Sequence, residues 1–176
     1  MMDAIPTTRT TALHVYHKVP LFYLPAAKGG QSGPVATRSK YNLVLVFLES
    51  GPEGEAYLQA ITDIYPAILK DDARAIVVMQ ATLEETQRIA SKLDLPFTLL
   101  ADDLGATTQR MLGEGNHASL CIADRYGIIY YAEAVTNTAS LPPVAVIPEW
   151  LQYIEIQCPE CTDGSDQIWL TATSAE

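Results

Sequence analysis

Asn42-Leu43-Val44-Leu45-Val46-Phe47-Leu48, then Glu49-Ser50, then Gly51-Pro52-Glu53-Gly54, is the stretch that decides the fold. The run after Asn42 is continuously apolar. A strand buried on both faces of a parallel sheet reads this way, because it has no solvent face to alternate toward. Gly-Pro then fits a helix start, since Pro in the first turn lacks only an N–H that would have no intrahelical partner. The spacing predicts a helix over residues 52–69 with the stripe Tyr57, Ile61, Ile64 and Ile68, flanked by Ala60 and Leu69. Pro66 falls inside it and predicts a kink or an early end.

Working outward, residues 75–79 (Ala-Ile-Val-Val-Met) read as a second buried strand. Thr82-Leu83-Glu84-Glu85 has capping-box spacing and opens a helix to about Leu93. Residues 96–100 form a short strand, and Asp102 and Asp103 can cap a helix through Met111. Residues 119–123 and 128–131 are two strands joined by Asp124-Arg125-Tyr126-Gly127, a tight turn. A last helix begins near Pro142 or Pro148 and runs to Gln157, with Ile147, Trp150, Leu151 and Ile154 inward. On the other side, residues 13–24 suit an edge strand or extended arm, and the Gly/Ser-rich residues 28–40 a loop. The order β-α-β-α-β-α-β-β-α implies an α/β domain over residues 13–157, preceded by a flexible N-terminus, residues 1–12, and followed by a tail, residues 158–176.

Composition narrows the function. Hydrophobic residues make up 48% of 176, enough for a sizeable core. Net charge is −10, and every Lys and Arg lies at or before Arg125. Such a surface repels phosphate backbones and anionic bilayers, so neither nucleic acid nor membrane is an expected partner. Three cysteines do not make a disulfide scaffold. With no signal-type apolar segment at the start, the expectation is a cytoplasmic protein.

The element order and three phrases resemble the thioredoxin-like superfamily. The match is to its redoxin branch, the peroxiredoxins of the alkyl hydroperoxide reductase and thiol-specific antioxidant type. The phrases are the strand at Leu43 to Leu48 with its following helix, Leu95-Pro96-Phe97-Thr98-Leu99-Leu100-Ala101-Asp102, and Leu120-Cys121-Ile122-Ala123-Asp124-Arg125-Tyr126-Gly127-Ile128-Ile129-Tyr130. The resemblance implies a three-layer sandwich, a mixed central sheet flanked by helices, and thiol-disulfide redox work. It also implies a reactive cysteine at the start of the first helix. Here that position reads Ser50-Gly51-Pro52-Glu53-Gly54, without sulfur. A helix N-terminus favours a thiolate, and peroxide reduction needs that thiolate as nucleophile. Glycine supplies none, so peroxidase chemistry at this position is excluded.

Sulfur does occur in the same four-residue frame at Cys158-Pro159-Glu160-Cys161. Two thiols at that spacing can form a disulfide, exchange with protein thiols of a partner, or supply half of a zinc site completed by a second chain in a homodimer. They follow a helix C-terminus, beside Glu155 and Glu160, where charge and dipole raise a thiol's pKa. Cys121 is mid-strand and expected to be buried. His14 and His17, on a strand, point to opposite faces, and His117 sits in a loop that the resemblance turns toward the old active-site region. No cofactor is expected, zinc being the alternative. Three uses remain open: a redox dithiol at Cys158 and Cys161, a non-catalytic binding or scaffold domain around Ser50 to Gly54, and a zinc-bridged dimer.

Overall fold

The structure, a computed structural model, describes residues 11–157. An arm leads into two short paired strands, β1 (Leu24–Pro25) and β2 (Gln31–Ser32). The main elements follow: β3 (Asn42–Glu49), α1 (Pro52–Lys70), β4 (Ala73–Gln80), α2 (Leu83–Lys92), β5 (Thr98–Ala101), α3 (Ala106–Leu112), β6 (Ala118–Ala123), β7 (Ile129–Val135) and α4 (Val146–Glu155).

The sheet order is β5-β4-β3-β6-β7. β3, β4 and β5 are parallel, while β6 runs antiparallel to β3 and β7 to β6. Continuous hydrophobicity in β3 has a direct cause. Val44, Val46 and Leu48 enter one core beneath α1, α2 and α4, with Leu58, Ile61, Ile89 and Leu151. Leu43, Leu45 and Phe47 enter a second core beneath α3 and the arm, with Leu13, Phe22, Met111 and Leu112. Each such aliphatic side chain stabilises the fold by about 1.5–3 kcal/mol relative to exposure. The chain is therefore the expected three-layer α/β sandwich around a mixed sheet.

Three local expectations are corrected. α1 runs through Pro66 to Lys70. Pro66 is exposed, so the carbonyl that loses its helical partner can turn to solvent on the outer side of the helix. The buried stripe of α1 is Leu58, Ile61, Tyr65 and Ile68, with Tyr57 and Ile64 at its flanks and Leu69 41% exposed. Trp150 is half-buried; its ring stacks on Tyr131 and Tyr153 at 5.2 and 5.5 Å between centroids. The Thr82 cap forms as expected, its hydroxyl accepting from the Glu85 N–H at 3.1 Å. Asp102 caps α3 from before the Gly105 turn, accepting from the Thr108 N–H at 2.7 Å and its hydroxyl at 2.8 Å.

Candidate functional site

β3 delivers the chain to the N-terminus of α1 at the C-terminal edge of the sheet. Gly51, the residue before the helix, has φ 124°, a conformation that side-chain-bearing residues rarely adopt. Pro52 follows in the first turn. Gly54 lies against the end of β3: a Cβ there would stand 2.2 Å from the Glu49 carbonyl oxygen. Both outer positions of the frame are thus glycine for backbone reasons. A cysteine at 51 would be strained, and one at 54 would collide with main chain. At Gly54 the main chain leaves no room for a side chain, so replacing that glycine alone would not place a thiol there without a backbone shift.

The space beside it is held by a connection from far along the chain. Glu49 accepts from the Thr138 N–H at 2.9 Å, while the Glu49 N–H donates to the Thr138 hydroxyl at 3.1 Å. Asn137 caps the single turn at Thr138–Ser140 by accepting from the Ser140 N–H at 3.0 Å. Together Glu49, Ser50, Glu53, Gly54, Asn137 and Thr138 line a cleft of about 310 Å³. An adjoining apolar groove of about 440 Å³ continues past Tyr57, Leu141 and Pro142. The Tyr57 hydroxyl donates to the Pro142 carbonyl at 2.8 Å, which fixes that wall. The cleft offers carboxylate, hydroxyl and amide groups but no nucleophilic sulfur. Glu55, on the first turn, is drawn to the Lys92 ammonium at 2.8 Å, which holds its carboxyl below the usual range.

His117 is exposed and lines a different cleft, with Gln80, Leu104, Gly105 and Asn116, at the same edge of the sheet. Gln80 Nε2 donates to its carbonyl at 3.0 Å. His14 and His17, expected on opposite faces, are brought together by a turn with Tyr16 at φ 68°, their rings 5.6 Å apart. Among the described residues no cluster of three or more His, Cys, Asp or Glu side chains could hold a metal. Cys121 is fully buried in β6, and burial pushes its thiol up to about 12. Cys158 and Cys161 lie outside the described residues.

The chain nevertheless fixes where those thiols start from. Glu155, at the end of α4, accepts from Asn42 Nδ2 at 2.8 Å, so α4 finishes beside the beginning of β3. The Ser50–Gly54 cleft is at the other end of that strand, about 23 Å away. The same end of α4 carries a group the sequence order hid: Arg125 reaches Glu155 at 3.9 Å and lines a cleft with Asn42, Tyr130 and Gln157.

No family model matches the chain, and no curated relative does. Solved structures do. A peroxidoxin, BcpB from Mycobacterium tuberculosis, superposes with a TM-score of 0.70 at 13% identity over 81% of this chain and 98% of that one. A reduced 2-Cys peroxiredoxin from Plasmodium vivax gives 0.67 at 15% identity, over 80% and 81%. A thiol peroxidase from Chromobacterium violaceum gives 0.65 at 14%, over 84% and 91%. The fold is the thioredoxin-like fold of peroxiredoxins.

Proposed function

We propose that this protein is a redoxin-type thiol-disulfide oxidoreductase whose chemistry has left the start of α1 and runs through Cys158 and Cys161. The observation that carries the reading is the pairing of a peroxiredoxin-like fold with an α1 entry where a cysteine would be strained at Gly51 and would collide with main chain at Gly54. Cys121 is buried with its thiol pushed up to about 12, which makes it inert as a nucleophile. In the proposed reaction the Cys158 thiolate attacks one sulfur of a partner protein's disulfide. A mixed disulfide forms and the partner's other sulfur leaves as a thiolate. The Cys161 thiolate then attacks Cys158 sulfur and releases the partner's second thiolate, which takes up a proton. The dithiol is oxidised by two electrons and the partner's disulfide is reduced. The odd cysteine count supports a reducing, cytoplasmic setting.

Equilibration against glutathione mixtures, with mass analysis of the trapped protein, tests this reading. A Cys158–Cys161 disulfide that forms and reduces reversibly is the expected result; thiols that stay unpaired across the whole series would end the proposal. Zinc found in the purified protein and lost from Cys158→Ser would instead assign the pair to a metal shared between two chains.

A second reading has its own support. Gly51 and Gly54 leave the start of α1 free of side chains beside a cleft of about 310 Å³, which suits close approach of a bound chain. Under this reading the domain binds a partner without chemistry, and Cys158→Ser/Cys161→Ser leaves its activity in cells intact.

A further inference from the structure

A second concavity opens at the opposite end of the sheet from Ser50 to Gly54. Lys28, Tyr41, Tyr65, Leu69, Arg74 and Phe97 are among the residues lining a cleft of about 440 Å³, and no carboxylate is among them. In a chain of net charge −10 this is a local reversal of sign. The Arg74 guanidinium lies over the Tyr41 ring, 3.9 Å from its centroid, and donates to the Ala73 carbonyl at 2.8 Å. That orients the group and, among the described residues, leaves most of its donor fork unused. Lys28 donates to the Leu95 carbonyl at 3.0 Å, and among the described residues no other acceptor takes its remaining N–H groups. Ion pairs among the described residues lie elsewhere, Lys92 with Glu55 and Arg125 with Glu155. Tyr65 and Phe97, their rings tilted and 5.4 Å apart between centroids, are buried at the floor of the cleft, and Leu69 is 41% exposed at the rim. Two cations beside the Tyr41 ring and the exposed Leu69 suit acidic groups carried beside a large apolar ring.

The chain supplies such a segment from a nearby point. Glu155 is bonded to Asn42, the neighbour of Tyr41 and the register partner of Ala73, so α4 ends near the cleft. Residues 158–176 contain Glu160, Asp163, Asp166 and Glu176, no Lys or Arg, and the apolar run Ile168-Trp169-Leu170. Trp169 is separated from Gln157 by a stretch whose unconstrained span is about 20 Å, against strand steps of about 5 Å between Asn42 and Arg74.

We propose that this cleft receives the C-terminal segment of the same chain, Asp163 and Asp166 toward Lys28 and Arg74, and Trp169 against the apolar surface of Tyr41 and Leu69. The docking is independent of whether Cys158 and Cys161 exchange disulfides.

Acrylamide quenching of Trp169, in the full chain carrying Trp150→Phe, tests it. Trp169 is then the sole indole. The expected quenching constant is about half that of a synthetic peptide of residues 158–176, and it rises with salt, as screened charge pairs require. Lys28→Glu/Arg74→Glu raises it to the peptide's value. Adding Asp163→Lys/Asp166→Lys to that variant restores the protection, which a merely misfolded cleft would not allow. Quenching equal to the peptide's in the parent chain overturns the proposal, as does indifference to cleft charge. Protection that grows with protein concentration overturns it too, by assigning the segment to a second copy.

Discussion

Gly54 is held by a distance: its missing Cβ would stand 2.2 Å from the Glu49 carbonyl oxygen. Gly54→Ala should cost about 2–3 kcal/mol in urea unfolding, since backbone cannot yield as a flexible side chain can. Gly54→Cys should lose at least as much and show no peroxidase activity; turnover of hydrogen peroxide by that variant would contradict the steric exclusion at Gly54. Ser119 Oγ is buried without a partner among the described residues. Ser119→Ala is therefore expected to stabilise by about 1 kcal/mol, read from the same denaturation curves. Burial raises the Asp124 carboxyl above its ordinary 3.8, against the opposing N–H groups of Ile128, Tyr126 and Gly127 and the Arg125 charge. Below that ordinary value both states are protonated. As pH rises through it toward the folded-state value the unfolded chain ionises first, so stability falls and stays lower above. Asp124→Asn lacks that loss, and its stability relative to the parent should improve as pH rises from 3 to 7. A pH-independent difference would show that burial does not govern this group. Asp124 was legible as a turn residue from Asp-x-x-Gly; its burial was not, because that depends on the elements packed around the turn.

At the scale of elements, the tie between the end of β3 and the Thr138 turn decides the shape of the cleft beside α1. Two hydrogen bonds cross 89 residues of sequence to make it. Thr138→Val and Glu49→Ala should each cost about 1 kcal/mol, and the double variant less than the sum, because both remove one network. A strictly additive result would mean the two groups act separately. Strands β3 and β4 and the helix α2 were readable from the sequence because their signals are local: apolar runs of strand length, and a Thr capping residue three before Glu85. The buried stripe of α1 was misplaced toward Tyr57 and Ile64. α4 and the sheet together select which side of the helix is deepest, and helical periodicity alone leaves neighbouring positions nearly equivalent. Pro66 was read as a kink or an early end, and the early end does not occur: α1 continues to Lys70, packing of Ile68 into the core outweighing one lost bond on the exposed side.

For the whole molecule, the two ends of the sheet have separate characters. One carries the glycine frame, Glu49, Glu53 and the Thr138 turn; the other carries Lys28, Arg74, Arg125 and the end of α4. Cys121, enclosed between the layers, should react with a thiol reagent only after denaturation, and rapid native labelling at that residue would contradict the packing. Sequence by itself determined the α/β alternation, the peroxiredoxin-like order of strands and helices, and the lack of sulfur at the start of α1. These follow from residue type and from periodicity over a few neighbours, which the backbone imposes wherever the segment lies. Only the tertiary structure decided that cysteine is sterically barred at Gly54, and that α4 ends a strand's length from the start of α1. It alone brought Arg125 beside Glu155 and gathered Lys28, Tyr41 and Arg74 into one cleft. Each of those depends on an approach between segments distant in sequence, set by how the sheet is ordered and how the helices seat upon it, and no local pattern encodes such a distance.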